Sequence, residues 1–293
     1  MTPEIAAQLQ AAGMEPSAVA EIVDRALTED VGSGDVTSLA TISAEQHDVA
    51  DVVARAPGVV AGLAVAGAVF HAAAAKQRPV AFEAHVPDGA AVARGDVLAT
   101  VAGPTRALLT AERTALNLLC RMSGVATHTR QWAAALAGTK AQVLDTRKTT
   151  PGLRVLEKYA VRAGGGTNKR MGLYDVAMIK DNHKIAAGGL TAAFRSVRSM
   201  YPDVPVQVEI TTVDEAVEAV EAGATFLLCD NMAPPLLRQV VAAVGDRAEL
   251  EATGGLTLAE VRAFAETGVD YLSVGALTHS SPILDIALDL RPR

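Results

Sequence analysis

Between Asp145 and Lys184 the chain reads DTRKTTPGLRVLEKYAVRAGGGTNKRMGLYDVAMIKDNHK, which holds nine of its 26 Lys and Arg and four acids, Asp145, Glu157, Asp175 and Asp181. That stretch carries +5 in a chain whose net charge is −7, so the remainder carries −12. Cations gathered against the sign of the whole protein suit a ligand with several negative charges. Further on, single carboxylates close apolar runs, Glu209 in VPVQVEITT and Asp230 in ATFLLCDNM. Two such acids facing a basic cluster offer hard oxygen ligands to a divalent ion, Mg²⁺, held jointly with substrate phosphates. The same side chains would also make structural ion pairs, Lys180 with Glu209 for example. ATGG at 252–255 and VGA at 274–276 add glycines that let backbone N–H groups face an anion, although a glycine after a strand is also an ordinary turn.

These residues need elements to bring them together. After residue 140 the apolar runs AQVLDTRKT, DVAMIKDNH, VPVQVEITT, ATFLLCDNM, AELEATGG and VDYLSVGAL each end on polar residues. Their spacing, roughly 20 to 35 residues, is that of a βα unit. Helical stretches such as TTVDEAVEAVEAG and TLAEVRAFAETG lie between them, each closed by a glycine. Short runs apolar on both faces, alternating with helices, make a parallel sheet. About six units point to a small or incomplete α/β barrel, with a doubly wound open sheet as the alternative. Either architecture collects strand ends at one rim. That rim would carry Arg147 and Lys148, Lys180 and Asn182, Glu209, Asp230, Glu251 with Thr253, and Ser273 with Gly275.

The first half reads differently. Residues 1–28 have a helical apolar face broken near Gly13 and Pro16, and TEDVGSGDVTS follows as a loop. From 47 to 110, short Val and Ala runs separated by PG, PDG, RGD and GP read as strands of a small antiparallel sheet. A helix is expected from a Thr110 cap to Gly138, with Arg113 near its start, where a cation opposes the helix dipole.

Composition bounds the remaining possibilities. Half the residues are apolar, 20% charged and 3% aromatic, a globular profile with small-residue helices packed on strands. VVAGLAVAGAVF at 59–70 is too short to span a bilayer, and the start MTPEIAAQLQ has no export signal, so no membrane partner and a cytoplasmic location are expected. Cys120 and Cys229, in apolar surroundings, read as buried free thiols. An acidic chain without a basic tail does not suggest nucleic-acid binding. AGGGTNKR lacks the ending of a P-loop, and no strand precedes VGSGDVTS as a Rossmann fingerprint requires. The six histidines show no zinc spacing; His183, at a strand end, is the one placed near the chemistry.

At the motifs EDVGSGDVTS, ARAPGVVAG, ERTALNLLCRMSGVAT, DTRKTTPGLRVLEKYAVRAGGGTNKRMGLYD, IKDNH, VEITT, CDNM, EATGG and GVDYLSVGALTHS the chain resembles the quinolinate phosphoribosyltransferase family. The resemblance runs along nearly the whole chain, and DTRKTTPGLR, GGG-x-N-x-R and IKDNH in that order are specific to it. It implies transfer of a phosphoribosyl group to quinolinate with Mg²⁺, giving nicotinate mononucleotide, CO₂ and pyrophosphate. It also implies an incomplete α/β barrel at 119–279 and a smaller N-terminal α/β sandwich domain at 1–118, joined by residues 280–293. Carried over position by position, Arg113, Arg147, Arg170 and Lys180 would bind quinolinate. Lys148 would sit near the pyridine and the ribosyl donor, and is the expected proton donor. Glu209 and Asp230 would hold the metal and ribose side. Thr253, Gly254, Gly255, Val274, Gly275 and Ala276 would form the phosphate loops. A homodimer would share its sites, Arg113 crossing to the partner. Where the family usually has N-H-R, this chain has Asn168, Lys169 and Arg170, which keeps a charge but loses a flat titratable ring. Two other readings remain at this point: a Schiff-base aldolase using Lys180, and a paralogue of the family without the activity.

Overall fold

The computed structural model describes residues 1–74 and 79–292. Its elements begin with α1 (Pro3–Ala11), α2 (Pro16–Val31), α3 (Val36–Thr41), β1 (His47–Ala54), β2 (Gly58–Val59), α4 (Leu63–Ala73), β3 (Ala81–Ala84), β4 (Ala91–Val92), β5 (Val97–Pro104) and α5 (Thr105–Ala135). There follow β6 (Gln142–Leu144), α6 (Arg154–Ala163), β7 (Ala177–Ile179), α7 (Asp181–Ala187), α8 (Leu190–Met200), β8 (Val206–Ile210), α9 (Val213–Glu221) and β9 (Phe226–Asp230). The chain ends through α10 (Pro234–Val244), β10 (Glu249–Thr253), α11 (Val261–Ala265), β11 (Tyr271–Ser273), α12 (Ala276–His279) and β12 (Ile286–Leu290). Two compact units result, one of residues 1–130, 149–165 and 278–293, the other of 131–148 and 166–277. The first unit thus takes in 119–130, 149–165 and 278–279, which the resemblance assigns to the barrel.

In the first unit the break between α1 and α2 falls where the sequence placed it: Gly13 has a φ of +70° and Pro16 opens α2. Three local expectations are corrected. TEDVGSGDVTS is not all loop, because α2 continues to Val31 and the Asp35 carboxylate caps α3 through the Ser38 N–H at 3.0 Å. The run at 59–70 is mostly α4, buried from Leu63 through Phe70 apart from Ala64, so it shows no polar face to betray its period. The Asp88 carboxylate receives the first N–H groups of that helix, from Gly62 at 2.8 Å and Leu63 at 3.2 Å. Finally, α5 starts at Thr105 directly after β5, so Arg113 lies well inside the helix and does not face the dipole's positive end. The helices cover a four-stranded antiparallel sheet ordered β12-β1-β5-β3, with Phe70 stacked on Phe82 at 6.0 Å.

The second unit is a parallel sheet ordered β6-β11-β10-β9-β8-β7. From β7 to β11 each strand neighbours the next in sequence, and β6 then sits beside β11. The order is therefore circular and open only between β6 and β7. A doubly wound sheet would reverse direction at a switch point; this one does not, and it is an incomplete barrel. On its other side β6 meets Thr167, whose N–H donates to the Val143 carbonyl at 2.9 Å, while the Asp145 N–H donates back to Thr167 at 3.2 Å. The chain following the three glycines thus lines the open edge. Side chains alternate along each strand, which sets Gln207 with Glu209, Leu228 with Asp230, and Glu251 with Thr253 on common faces. Among the described residues no helix is long and apolar enough to cross a membrane.

Candidate active site

The triple glycine has two separate mechanical causes. A Cβ on Gly164 would collide with the Ala126 carbonyl of α5, and Gly165 takes a φ of +91°, which side chains resist. Beyond them the buried Asp145 carboxylate fixes the path of the segment. It accepts from the Asn168 amide at 2.6 Å and from the Lys169 N–H at 2.8 Å. Arg170 is anchored by the Val176 carbonyl at 2.9 Å. Asp175 accepts from the Met171 and Gly172 N–H groups, and although burial pushes its carboxyl up, those bonds bring it below the usual carboxylate range.

These devices deliver side chains to a cavity of about 310 Å³ at the carboxyl ends of the strands. Its walls are Thr146, Arg147, Lys148, Lys169, Arg170, Met178, Lys180, Leu228, Asp230, Thr253 and Ser273. Five cations and one carboxylate face one small volume. Arg147, Arg170 and Lys180 also line an adjoining, more apolar cavity of about 620 Å³, with Leu173, His183 and Val197. Packing cations this closely perturbs them. The Lys169 ammonium is held below its usual range by burial, partly restored by Glu251, and lowered again by Arg170 and Lys180. Arg170 is likewise lowered, by burial and then by Arg147.

The structure thus brings Arg147, Lys148, Lys169, Arg170, Lys180, Asp230 and Thr253 to one cavity. Glu209 stands beside it, buried, with Oε2 accepting from Lys180 Nζ at 2.6 Å. Gly254 and Gly255 follow Thr253 with φ of +105° and +60°, and a Cβ on Gly254 would run into the Asn231 amide. Val274 is buried, its N–H donating to the Leu144 carbonyl at 3.0 Å, and Gly275 leads into α12 at Ala276. Arg113 belongs to the first unit and is exposed on α5. The cationic stretch is not all devoted to the cavity. Arg154 donates to the Thr149 hydroxyl, Arg162 to the Ala12 carbonyl, and Lys184 pairs with Asp181 and Glu215.

Sequence reasoning gives no role to Asp145, Gln207 or Asn231, and places Glu251 and Ser273 in the strand-end series without naming their partners. A period-two reading back from Thr253 would have aimed Glu251 inward. Asn231 has a φ of +53° and joins two loops, its N–H to the Thr253 carbonyl at 2.9 Å and its amide to Asp230 at 2.8 Å; no local signal marks that role. His183 accepts the Lys180 N–H at 3.0 Å and so caps α7. Both cysteines are buried and free, with Cys229 pushed up to about 12 by burial and by Glu251, so neither is a nucleophile. Lys180 is half-exposed and paired with Glu209, unlike the desolvated amine of a Schiff-base enzyme.

Among the described residues no three His, Cys, Asp or Glu gather to hold a metal. Glu209 and Asp230, two carboxylates on neighbouring strands, nevertheless suit Mg²⁺, which takes few protein ligands and completes its shell from phosphates and water.

Residues 35–123 match the family described as quinolinate phosphoribosyl transferase, N-terminal domain, and residues 125–289 match its C-terminal domain. The nicotinate-nucleotide pyrophosphorylase (carboxylating) of Mycobacterium leprae is 46% identical over 94% of this chain and 98% of its own length. A probable enzyme of the same name from Bacillus subtilis is 42% identical, covering 92% of each. The crystal structure of NadC from Streptococcus pyogenes superposes with a TM-score of 0.91 at 36% identity, covering 95% of this chain and 98% of that one.

Proposed function

The chain belongs to the quinolinate phosphoribosyltransferase family, and from that premise we propose how its cavity performs the family's reaction. The enzyme joins quinolinate to phosphoribosyl pyrophosphate, giving nicotinate mononucleotide, CO₂ and pyrophosphate in NAD biosynthesis. The observation that carries the mechanism is the convergence of Arg147, Lys148, Lys169, Arg170 and Lys180 on one small cavity. Quinolinate brings two carboxylates and its co-substrate a phosphate and a pyrophosphate, so a pocket of this charge neutralises what water otherwise solvates.

Arg147, Arg170 and Lys180 hold the carboxylates and turn the pyridine nitrogen toward ribose C1. Glu209 and Asp230 would hold Mg²⁺, which when bound neutralises charge on the pyrophosphate. The loops at Thr253–Gly255 and Val274–Ala276 take the 5-phosphate. The C1–O bond to pyrophosphate breaks with oxocarbenium character as the nitrogen's lone pair forms the new bond. The ring is then a cation, and the 2-carboxylate departs as CO₂, leaving its electron pair on the carbon beside the positive nitrogen. Removal of that carboxylate from water favours the neutral product. A proton completes the ring, and Lys148 is its donor. Two chains form a homodimer in the cytoplasm, and Arg113 of each chain completes the partner's site.

Purified protein with Mg²⁺, phosphoribosyl pyrophosphate and quinolinate should form nicotinate mononucleotide, while nicotinate in a parallel tube should not react. No product from quinolinate with folded protein would refute the reading.

A further inference from the structure

Glu251 is fully buried on β10, and its carboxylate is a hub. Oε1 accepts from Lys169 Nζ at 2.5 Å and from the Ser273 hydroxyl, and Oε2 accepts from the Gln207 amide at 2.6 Å. The donors come from three stretches, the segment along β6, the end of β11, and β8. Two of them, Lys169 and Ser273, line the cationic cavity, and the Lys169 side chain keeps 11% exposure there.

Stability does not explain this arrangement. Apolar side chains of similar volume often replace buried ion networks neutrally or with a gain. Here the Gln207 side-chain amide oxygen is also buried without a hydrogen-bond partner among the described residues, which carries its own penalty. What the hub achieves is at its open end. Burial and the neighbouring Arg170 and Lys180 all disfavour a charged Lys169, and Glu251 is the group that opposes them.

We infer that Glu251 is a positioning residue that holds the Lys169 ammonium in the floor of the cavity, where it selects a pyridine dicarboxylate over a monocarboxylate. Lys169 adds a fixed charge for the second carboxylate, which a monoacid lacks, so the pair sharpens preference and not general anion binding. The Ser273 hydroxyl, tied to the same oxygen, keeps the adjoining wall in register. The inference rests on the proposed function and extends it to a fully buried residue outside the cavity's lining.

Calorimetric titration of quinolinate and of nicotinate into wild type, Glu251→Gln, Lys169→Met and the double variant tests it. Glu251→Gln should weaken quinolinate binding by at least about tenfold and alter nicotinate binding by less than about twofold. In the Lys169→Met background the second substitution should add less than about twofold, because the coupled partner is already gone. Should Glu251→Gln alone fail to fold, Lys169→Met against the double variant decides. Equal quinolinate affinity in those two supports the inference, and a further loss overturns it. Wild type that turns over quinolinate while Glu251→Gln binds it normally overturns the inference alone. Wild type that binds no quinolinate overturns the function reading, and the inference with it.

Discussion

Lys180 and Glu209 meet at 2.6 Å across the ends of β7 and β8, so the carboxylate proposed for the metal is already neutralised by a cation proposed for the substrate. The two roles are compatible if an arriving dicarboxylate draws Lys180 away and releases the Glu209 oxygen. They separate in experiment. Glu209→Gln should raise the Mg²⁺ concentration for half-maximal turnover by at least about tenfold, since a carboxylate is the harder ligand. An ion-pair role alone would leave that concentration unchanged and alter only the affinity for quinolinate.

Gly254 is held twice over, by a φ of +105° and by the Asn231 amide standing where a Cβ would go. Gly254→Ala should lose about 1–3 kcal/mol of stability and raise KM for phosphoribosyl pyrophosphate more than KM for quinolinate. Urea denaturation and two-substrate kinetics provide both readings. A fully stable variant with unchanged kinetics would show that the loop is no phosphate site.

The shared-site proposal makes a statistical prediction. Arg113→Ala and Lys180→Ala should each be inactive alone. Mixed and allowed to exchange subunits, they should recover about a quarter of wild-type activity, because half the dimers carry one intact site of two. No recovery in a mixture shown to contain heterodimers would place Arg113 in its own chain's site.

Cys229 gives a pH test with a definite sign. Burial, and then Glu251, push its thiol up to about 12 from an ordinary 9.0, so the unfolded chain loses its proton first. The contribution is whole below pH 9 and is lost as pH rises toward 12. One unit above the ordinary value the loss is on the order of 1 kcal/mol. The stability difference between wild type and Cys229→Ala should shrink by that amount from pH 8 to pH 10, as read by chemical denaturation. A constant difference would contradict it.

The barrel was legible because each strand in the second half is a short apolar run with a polar terminus, and such runs have few alternatives. The strand-end series places Arg147, Lys148, Lys180, Asp230 and Thr253 together, while the motif supplies Lys169 and Arg170. What escaped was non-local or masked by uniform apolarity. A helix as apolar all round as α4 carries no period, and the start of α5 was hidden by β5 running straight into it. The parts played by Asp145 and Glu251 escape because a buried carboxylate is recognised by its donors, and those lie 22 to 82 residues away. The sequence showed which cations were gathered. It did not show that four of nine serve the scaffold or have no part in the cavity.

The central claim is that this cavity couples ribosylation of quinolinate to loss of its 2-carboxylate. Quinolinate labelled with ¹⁴C in that carboxylate, incubated with the enzyme and Mg²⁺ with and without phosphoribosyl pyrophosphate, measures the coupling directly. The account predicts labelled CO₂ released one for one with nicotinate mononucleotide, and none without phosphoribosyl pyrophosphate. Label retained in a ribosylated product, or released without the ribosyl donor, would contradict it.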